Sequence, residues 1–167
     1  MFSIASVLTD LASPAAVTVL GTAIAGYLSR HRHDTARALV CLGAPLAAGA
    51  TEATLKIVVE RLRPATGALT AEYGYGFPSG HTAGFTALAF AIAFTVSRQR
   101  TRATTIALLL SVAIAATRVL VGAHYPTDVL GGLLLGIAIA VATSLLRAPI
   151  ENVLDDTSKD ADHGLAS

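Results

Sequence analysis

From Val129 to Leu146 the chain reads VLGGLLLGIAIAVATSLL, eighteen consecutive residues without a charge. A run of that length is a membrane-helix candidate, because about 20 apolar residues cross a hydrocarbon layer roughly 30 Å thick. Four more apolar stretches precede it, at Pro14–Ser29, Ala36–Val59, His81–Val96 and Ala103–Val121, and the five run from 16 to 24 residues. The expected fold is therefore all-α, a polytopic transmembrane helical bundle of about five spans. Ser13-Pro14 reads as a helix start, with the serine as N-cap and the proline at the first helical position. Phe2, Ala5, Leu8 and Leu11 fall roughly on one side of residues 1–11, which either lie along the membrane interface or lengthen the first span.

Composition agrees. Of 167 residues, 53% are hydrophobic and 14% charged, against about 25% charged in soluble domains. The length suits one transmembrane domain, residues 1–150, followed by a polar, acidic tail, 151–167, expected to be a disordered cytoplasmic end. The net charge of +1 offers no basic field for nucleic acid. The single cysteine, Cys41, lies in an apolar run and reads as a small buried hydrophobe, which excludes an intramolecular disulfide or a cysteine-cluster metal site.

The positions of the cations carry more information than their sum. No Lys or Arg precedes Arg30, so the first span lacks the charge pattern of a cleaved signal and is expected to be retained. Arg30, Arg32 and Arg37 follow the first span, Arg98, Arg100 and Arg102 separate the third and fourth, and Arg147 follows the fifth. The positive-inside rule puts these in the cytoplasm, with the N-terminus outside and the C-terminus inside. With Lys159 in the tail, eight of the twelve basic residues are accounted for, leaving Lys56, Arg61, Arg63 and Arg118 at the outer ends of spans two and four. Cations there need a reason, because charge at membrane depth costs roughly 2.5–3.5 kcal/mol per residue on insertion scales.

Three groups of residues supply one. Glu52, Lys56 and Glu60 recur every four residues and are expected on one helical face, with Arg63 two turns beyond Lys56 and Pro64 ending the helix. The segment Tyr73-Gly74-Tyr75-Gly76-Phe77-Pro78-Ser79-Gly80-His81 bends through glycines into span three, offering free N–H groups, a hydroxyl and an imidazole where a helix N-terminus favours phosphate. Tyr73, Tyr75 and Phe77 are candidates for an interfacial belt or lid. The stretch Thr117-Arg118 through His124-Tyr125-Pro126-Thr127-Asp128 puts Asp128 in the first turn of span five with His124 just outside it. That spacing lets Asp128 hold one ring nitrogen of His124 and leave the other for attack.

These residues resemble the signatures of the type 2 phosphatidic acid phosphatase superfamily of membrane lipid phosphatases, related to vanadium haloperoxidases. Lys-x6-Arg-Pro is Lys56, Arg63 and Pro64; Pro-Ser-Gly-His is Pro78 to His81; Ser-Arg-x5-His-x3-Asp is met by Arg118, His124 and Asp128, with Thr117 in the serine position. The resemblance implies His124 as nucleophile through a phosphohistidine, Asp128 orienting it, and His81 protonating the leaving oxygen and later activating water. It implies Lys56, Arg63, Arg118, Ser79 and the Gly80 N–H as phosphate ligands. Such a set of cations removes the need for a metal or other cofactor, since phosphoryl transfer asks mainly for preorganised positive charge. Many members have six spans, one more than is drawn here.

The implied activity is hydrolysis of a lipid phosphate or diphosphate held in the bilayer: a polyprenyl phosphate, phosphatidate or phosphatidylglycerophosphate, with the outer-face site leaning towards polyprenyl carriers. Haloperoxidase-like use of vanadate, a transporter lined by Glu52, Lys56 and Glu60, and an inactive binding subunit are the alternatives. Arg61 and Glu60 are expected to face solvent or headgroups, and Glu52 to fix Lys56. Gly132 and Gly136 form a Gly-x3-Gly for close helix packing, internal or in a homo-oligomer.

Overall fold

The computed structural model describes residues 12–65 and 74–164; the expectations for residues 1–11 and Tyr73 lie outside these. The described chain is helical, in the order α1 (Pro14–Arg32), α2 (Thr35–Val59), α3 (Gly80–Thr95), α4 (Arg100–Leu120), α5 (Pro126–Leu145) and α6 (Arg147–Gly164). Each of the five apolar stretches forms one helix. Among the described residues three helices are suited by length and composition to crossing a membrane: α2, α4 and the run Pro126–Thr157 that contains α5; α3 is apolar but only 16 residues long.

Local chemistry sets the ends. Ser13 Oγ accepts the Ala16 N–H at 3.2 Å and Pro14 opens α1, as the Ser-Pro pair predicts. His33, in a left-handed conformation, closes α1, and Asp34 starts α2 by accepting the Arg37 N–H at 3.0 Å while pairing with its guanidinium at 2.8 Å. The end of α2 departs from expectation. Glu60 adopts φ 50°, its N–H bonds the Lys56 carbonyl at 3.0 Å, and the helix stops at Val59, before Pro64 has any effect.

The tail also differs from the expected disorder. Arg147–Gly164 is a helix, with Arg147 and Glu151 paired at 2.7 Å one turn apart. Leu146, Ile150, Val153 and Leu154 fall on one side of it and, with Leu39 of α2, line an apolar groove. That amphipathic spacing, rather than overall polarity, decides the local conformation.

The interior is built from small side chains. Ala44, Ala48, Ala87, Ala91 and Ala140 are fully buried, whereas Leu109, Leu120, Leu134 and Val19 stand on the outside. This distribution suits a bundle surrounded by hydrocarbon, in which close backbone approach replaces hydrophobic exclusion as the source of helix association. Helix α3 sits centrally, in contact with α1, α2, α4 and α5. Cys41 is buried near Thr95.

The tightest contact is between α3 and α5. A Cβ on Gly132 would lie 2.7 Å from the Ser79 carbonyl oxygen, and one on Gly136 would lie 2.6 Å from Thr86 Cβ and 2.7 Å from the Ala83 carbonyl oxygen. Both glycines are buried inside the chain. Of the two uses expected for the Gly-x3-Gly, the internal one is realised, and this face is not open to a second copy. Gly136→Ala is therefore expected to destabilise the bundle by about 1–3 kcal/mol. Thermal unfolding in detergent checks it against Gly26→Ala, where the new methyl meets nothing within 4 Å and the substitution should be neutral or stabilising.

Candidate active site

Because α2 ends at Val59 and Glu60 turns the chain through a left-handed conformation, residues 61–63 leave it as an extended strap instead of continuing the helical face. Leu62 pairs with Tyr75 in an antiparallel bridge, and the Gly76 N–H donates to the Arg61 carbonyl at 2.7 Å. Glu60 turns towards Tyr75, whose hydroxyl it meets. The expectation that Glu60 and Arg63 share the Lys56 face is thus corrected. Extended backbone alternates its side chains with period two, so Arg61 and Arg63 share a side while Leu62 faces out, 74% exposed.

Arg63 reaches the loop between α4 and α5. Its Nη1 donates to the Ala123 carbonyl at 3.1 Å and lies 3.1 Å from His124 Nε2. The loop itself is pinned by the end of α4, where the Arg118 carbonyl accepts the N–H groups of Ala123 and His124 at 3.1 and 3.2 Å. His124 is buried, and its Nδ1 faces Asp128 Oδ2 at 3.6 Å. Asp128 is fully buried in the first turn of α5, where Oδ2 accepts the Tyr125 N–H at 2.9 Å. The carboxylate thus caps its own helix and is held to the side of the imidazole opposite Arg63. Arg118, in the last turn of α4, is fully buried and close enough to act electrostatically on His124.

The start of α3 closes the site. The Ser79 N–H donates to the Asp128 carbonyl at 3.0 Å, and Ser79 Oγ accepts from Thr82 Oγ1 at 3.1 Å. His81 lies half-buried in the first turn, and Gly80 opens it. Glu52 lies against Gly80, where a Cβ would stand 2.8 Å from Oε1, and pairs with Lys56 Nζ at 2.5 Å. The expected link between Glu52 and Lys56 is present. Phe77 packs its ring on Gly131 of α5, a structural contact where a lid was a candidate role. Gly76 admits the close approach of strap and dyad, since a Cβ there would stand 3.2 Å from Asp128 Oδ2 and 3.3 Å from Arg63 Cγ.

The eight residues given a catalytic or phosphate-binding role from sequence fall at one end of the bundle, on the C-terminal ends of α2 and α4, the N-terminal ends of α3 and α5, the α4–α5 loop and the strap. Arg61 was the omission. Its Nη1 donates to Thr127 Oγ1 at 2.5 Å and lies 3.1 Å from Asp128 Oδ1, and its guanidinium stacks over Tyr125, 4.7 Å from the ring centre. The signal for it was available: a charged-apolar-charged alternation ahead of a proline, which favours extended backbone in the preceding residue.

Burial first, and then the Arg63 and Arg118 guanidiniums, hold the His124 imidazole down to about 3. It is neutral across the neutral range, the form in which a ring nitrogen keeps a lone pair. With Nδ1 towards a carboxylate and Nε2 towards Arg63, a neutral imidazole stands beside a place where positive charge converges. An anion with several oxygens, such as a phosphoryl group, fits that arrangement.

Comparison with known proteins follows the same lines. The family model described as the PAP2 superfamily matches residues 37–150. The fold is similar to the crystal structure of a transmembrane PAP2-type phosphatidylglycerolphosphate phosphatase from Bacillus subtilis, with a TM-score of 0.80, 25% sequence identity, and coverage of 88% of this chain and 76% of that one. No curated protein sequence matches.

The depressed histidine has a consequence for stability. Unfolded His124 takes up a proton near pH 6.5, whereas the folded residue resists until about 3. The unfolded state binds more protons between these values, so this residue's contribution makes stability fall as pH drops through that window. His124→Gln should flatten that part of the profile, measured as thermal midpoint against pH in detergent.

Proposed function

The chain belongs to the PAP2 superfamily, and from that premise we propose that it is an integral-membrane lipid phosphatase acting through a phosphohistidine. The observation that carries this reading is His124 itself, a buried neutral imidazole set between Asp128 at 3.6 Å and Arg63 at 3.1 Å. In the first step His124 Nε2 attacks phosphorus and the bond to the leaving lipid oxygen breaks, while His81 gives that oxygen a proton. In the second, His81 takes a proton from water, the resulting hydroxide attacks phosphorus, and the P–N bond breaks to release phosphate and restore His124. The transition-state charge spreads over the equatorial oxygens. Lys56, Arg63, Arg118, Ser79 and the Gly80 N–H hold these oxygens. Arg63 must pass from Nε2 to a phosphoryl oxygen as substrate enters, which frees the lone pair for attack. Lys56 has a corresponding exchange to make, from Glu52 to phosphate.

The substrate class is a lipid with a phosphate or diphosphate headgroup: a polyprenyl phosphate or diphosphate, phosphatidate or phosphatidylglycerophosphate. Five apolar helices and the arginines on the loops support five spans, with the site on the extracytoplasmic side of the cytoplasmic membrane and the C-terminus inside. That orientation favours a lipid whose phosphate is removed outside the cytoplasm.

Phosphate release from a panel of such lipids, in detergent with EDTA, tests the chemistry. His124→Ala is expected to reduce release to background and His81→Ala to lower it about 10²–10⁴-fold, with no loss on chelation; equal release by wild type and His124→Ala would remove His124 from the mechanism. The orientation is read separately. A cysteine at Ala68, in a protein with Cys41 replaced, should react with an impermeant reagent in intact cells, and reaction only after permeabilisation reverses the sidedness.

A further inference from the structure

Arg61 is the one basic residue at the site end that carries no role in the reaction above, yet it touches the dyad. Its guanidinium is fixed three ways, by Thr127 Oγ1, by Asp128 Oδ1 and by the face of Tyr125. Its backbone is fixed as well, because its carbonyl accepts the Gly76 N–H. The side chain is 37% exposed while the carboxylate it meets is 0% exposed, so Arg61 covers Asp128 from the solvent side. The two carboxylate oxygens are divided between neighbours. Oδ1 faces Arg61, and Oδ2 faces the Tyr125 N–H and His124 Nδ1. The same strap delivers Arg63 to the far side of the imidazole, so its period-two alternation sets one cation at each end of the His124–Asp128 pair.

We propose that Arg61 is a positioning residue that holds Asp128 through Oδ1 so that Oδ2 stays on His124 Nδ1, and that it does not bind the phosphate. The proposal rests on the reading of His124 as nucleophile. As Nε2 bonds to phosphorus the imidazole gains positive charge, and a carboxylate already oriented on Nδ1 stabilises it. A carboxylate buried without a cation is costly. Arg61 supplies the cation at the oxygen that catalysis does not use, with Nη1 3.1 Å from Oδ1, and its own direction is held by Thr127 and the Tyr125 ring. Groups that orient a ligand at metal centres alter activity about 10–100-fold when removed, and a loss of that order is expected for a group that orients Asp128.

The test compares Arg61→Ala, Arg61→Lys, Asp128→Asn and the double variant Arg61→Ala/Asp128→Asn for kcat, KM and inhibition by inorganic phosphate. Arg61→Ala is expected to lower kcat about 10–100-fold with KM and phosphate inhibition within about twofold. Arg61→Lys should recover part of the loss, and Arg61→Ala should cost nothing further in the Asp128→Asn background, since the two act as a unit. Phosphate inhibition weakened in step with kcat would make Arg61 a phosphate ligand; undiminished kcat, or losses that multiply in the double variant, would overturn the proposal equally. Should Arg61→Ala not fold, Arg61→Gln carries the same comparison. If the wild-type protein releases phosphate from no lipid phosphate, the functional reading fails on its own. The pairing is then judged by thermal unfolding, where non-additive losses for Arg61→Ala and Asp128→Asn support it and additive losses reject it.

Discussion

The Asp128 carboxylate is the point on which the rest of the site depends. A buried charge is tolerated only where hydrogen bonds and opposite charge replace lost water, and the contacts of Asp128, side chain and backbone together, draw on four parts of the chain. Its own helix supplies the Tyr125 N–H, the strap supplies Arg61, the α4–α5 loop supplies His124, and the residue's backbone carbonyl accepts the Ser79 N–H at the start of α3. One residue therefore registers α3, α5 and the strap against one another. The geometry of the candidate site and the local fold share a single set of contacts.

That registration needs helices that come close. Gly132 and Gly136 bring the α5 backbone against Ser79, Ala83 and Thr86 of α3, and the buried Ala87, Ala91 and Ala140 continue the small-residue packing beyond them. Bulky aliphatic residues stand on the outer surface instead. In hydrocarbon this arrangement costs little, because an exposed leucine is already in an apolar solvent. Small residues inside give precision at the helix ends, where a misplacement of about 1 Å has large kinetic consequences.

Much of this was legible in the chain. The five apolar runs became five helices, Ser13-Pro14 marks a true helix start, and the spacing of His124 and Asp128 foretold an imidazole beside a carboxylate in the first turn of a helix. Where the sequence misled, the cause was local backbone geometry. Reading residues 52–63 as one continuous helix placed Glu60 beside Lys56 and Arg61 away from the site; a single left-handed residue at Glu60 replaces a period of 3.6 with a period of two and reverses both assignments. In the tail, polarity suggested disorder, but the apolar positions 146, 150, 153 and 154 sit at helical spacing against Leu39.

The class of molecule and the kind of chemistry are readable from the chain alone, because both follow from residue type and spacing within single segments: apolar runs long enough for a bilayer, and cations, two histidines and an aspartate at its edge. Which residues meet is a property of the folded bundle. Arg63 on Nε2, Arg61 on Oδ1, Glu52 against Gly80 and the glycines of α5 against α3 are contacts between segments far apart in the chain. Their partners are set by the direction in which the backbone leaves each helix end and by how closely small residues let the helices approach, and no periodicity within one segment encodes either.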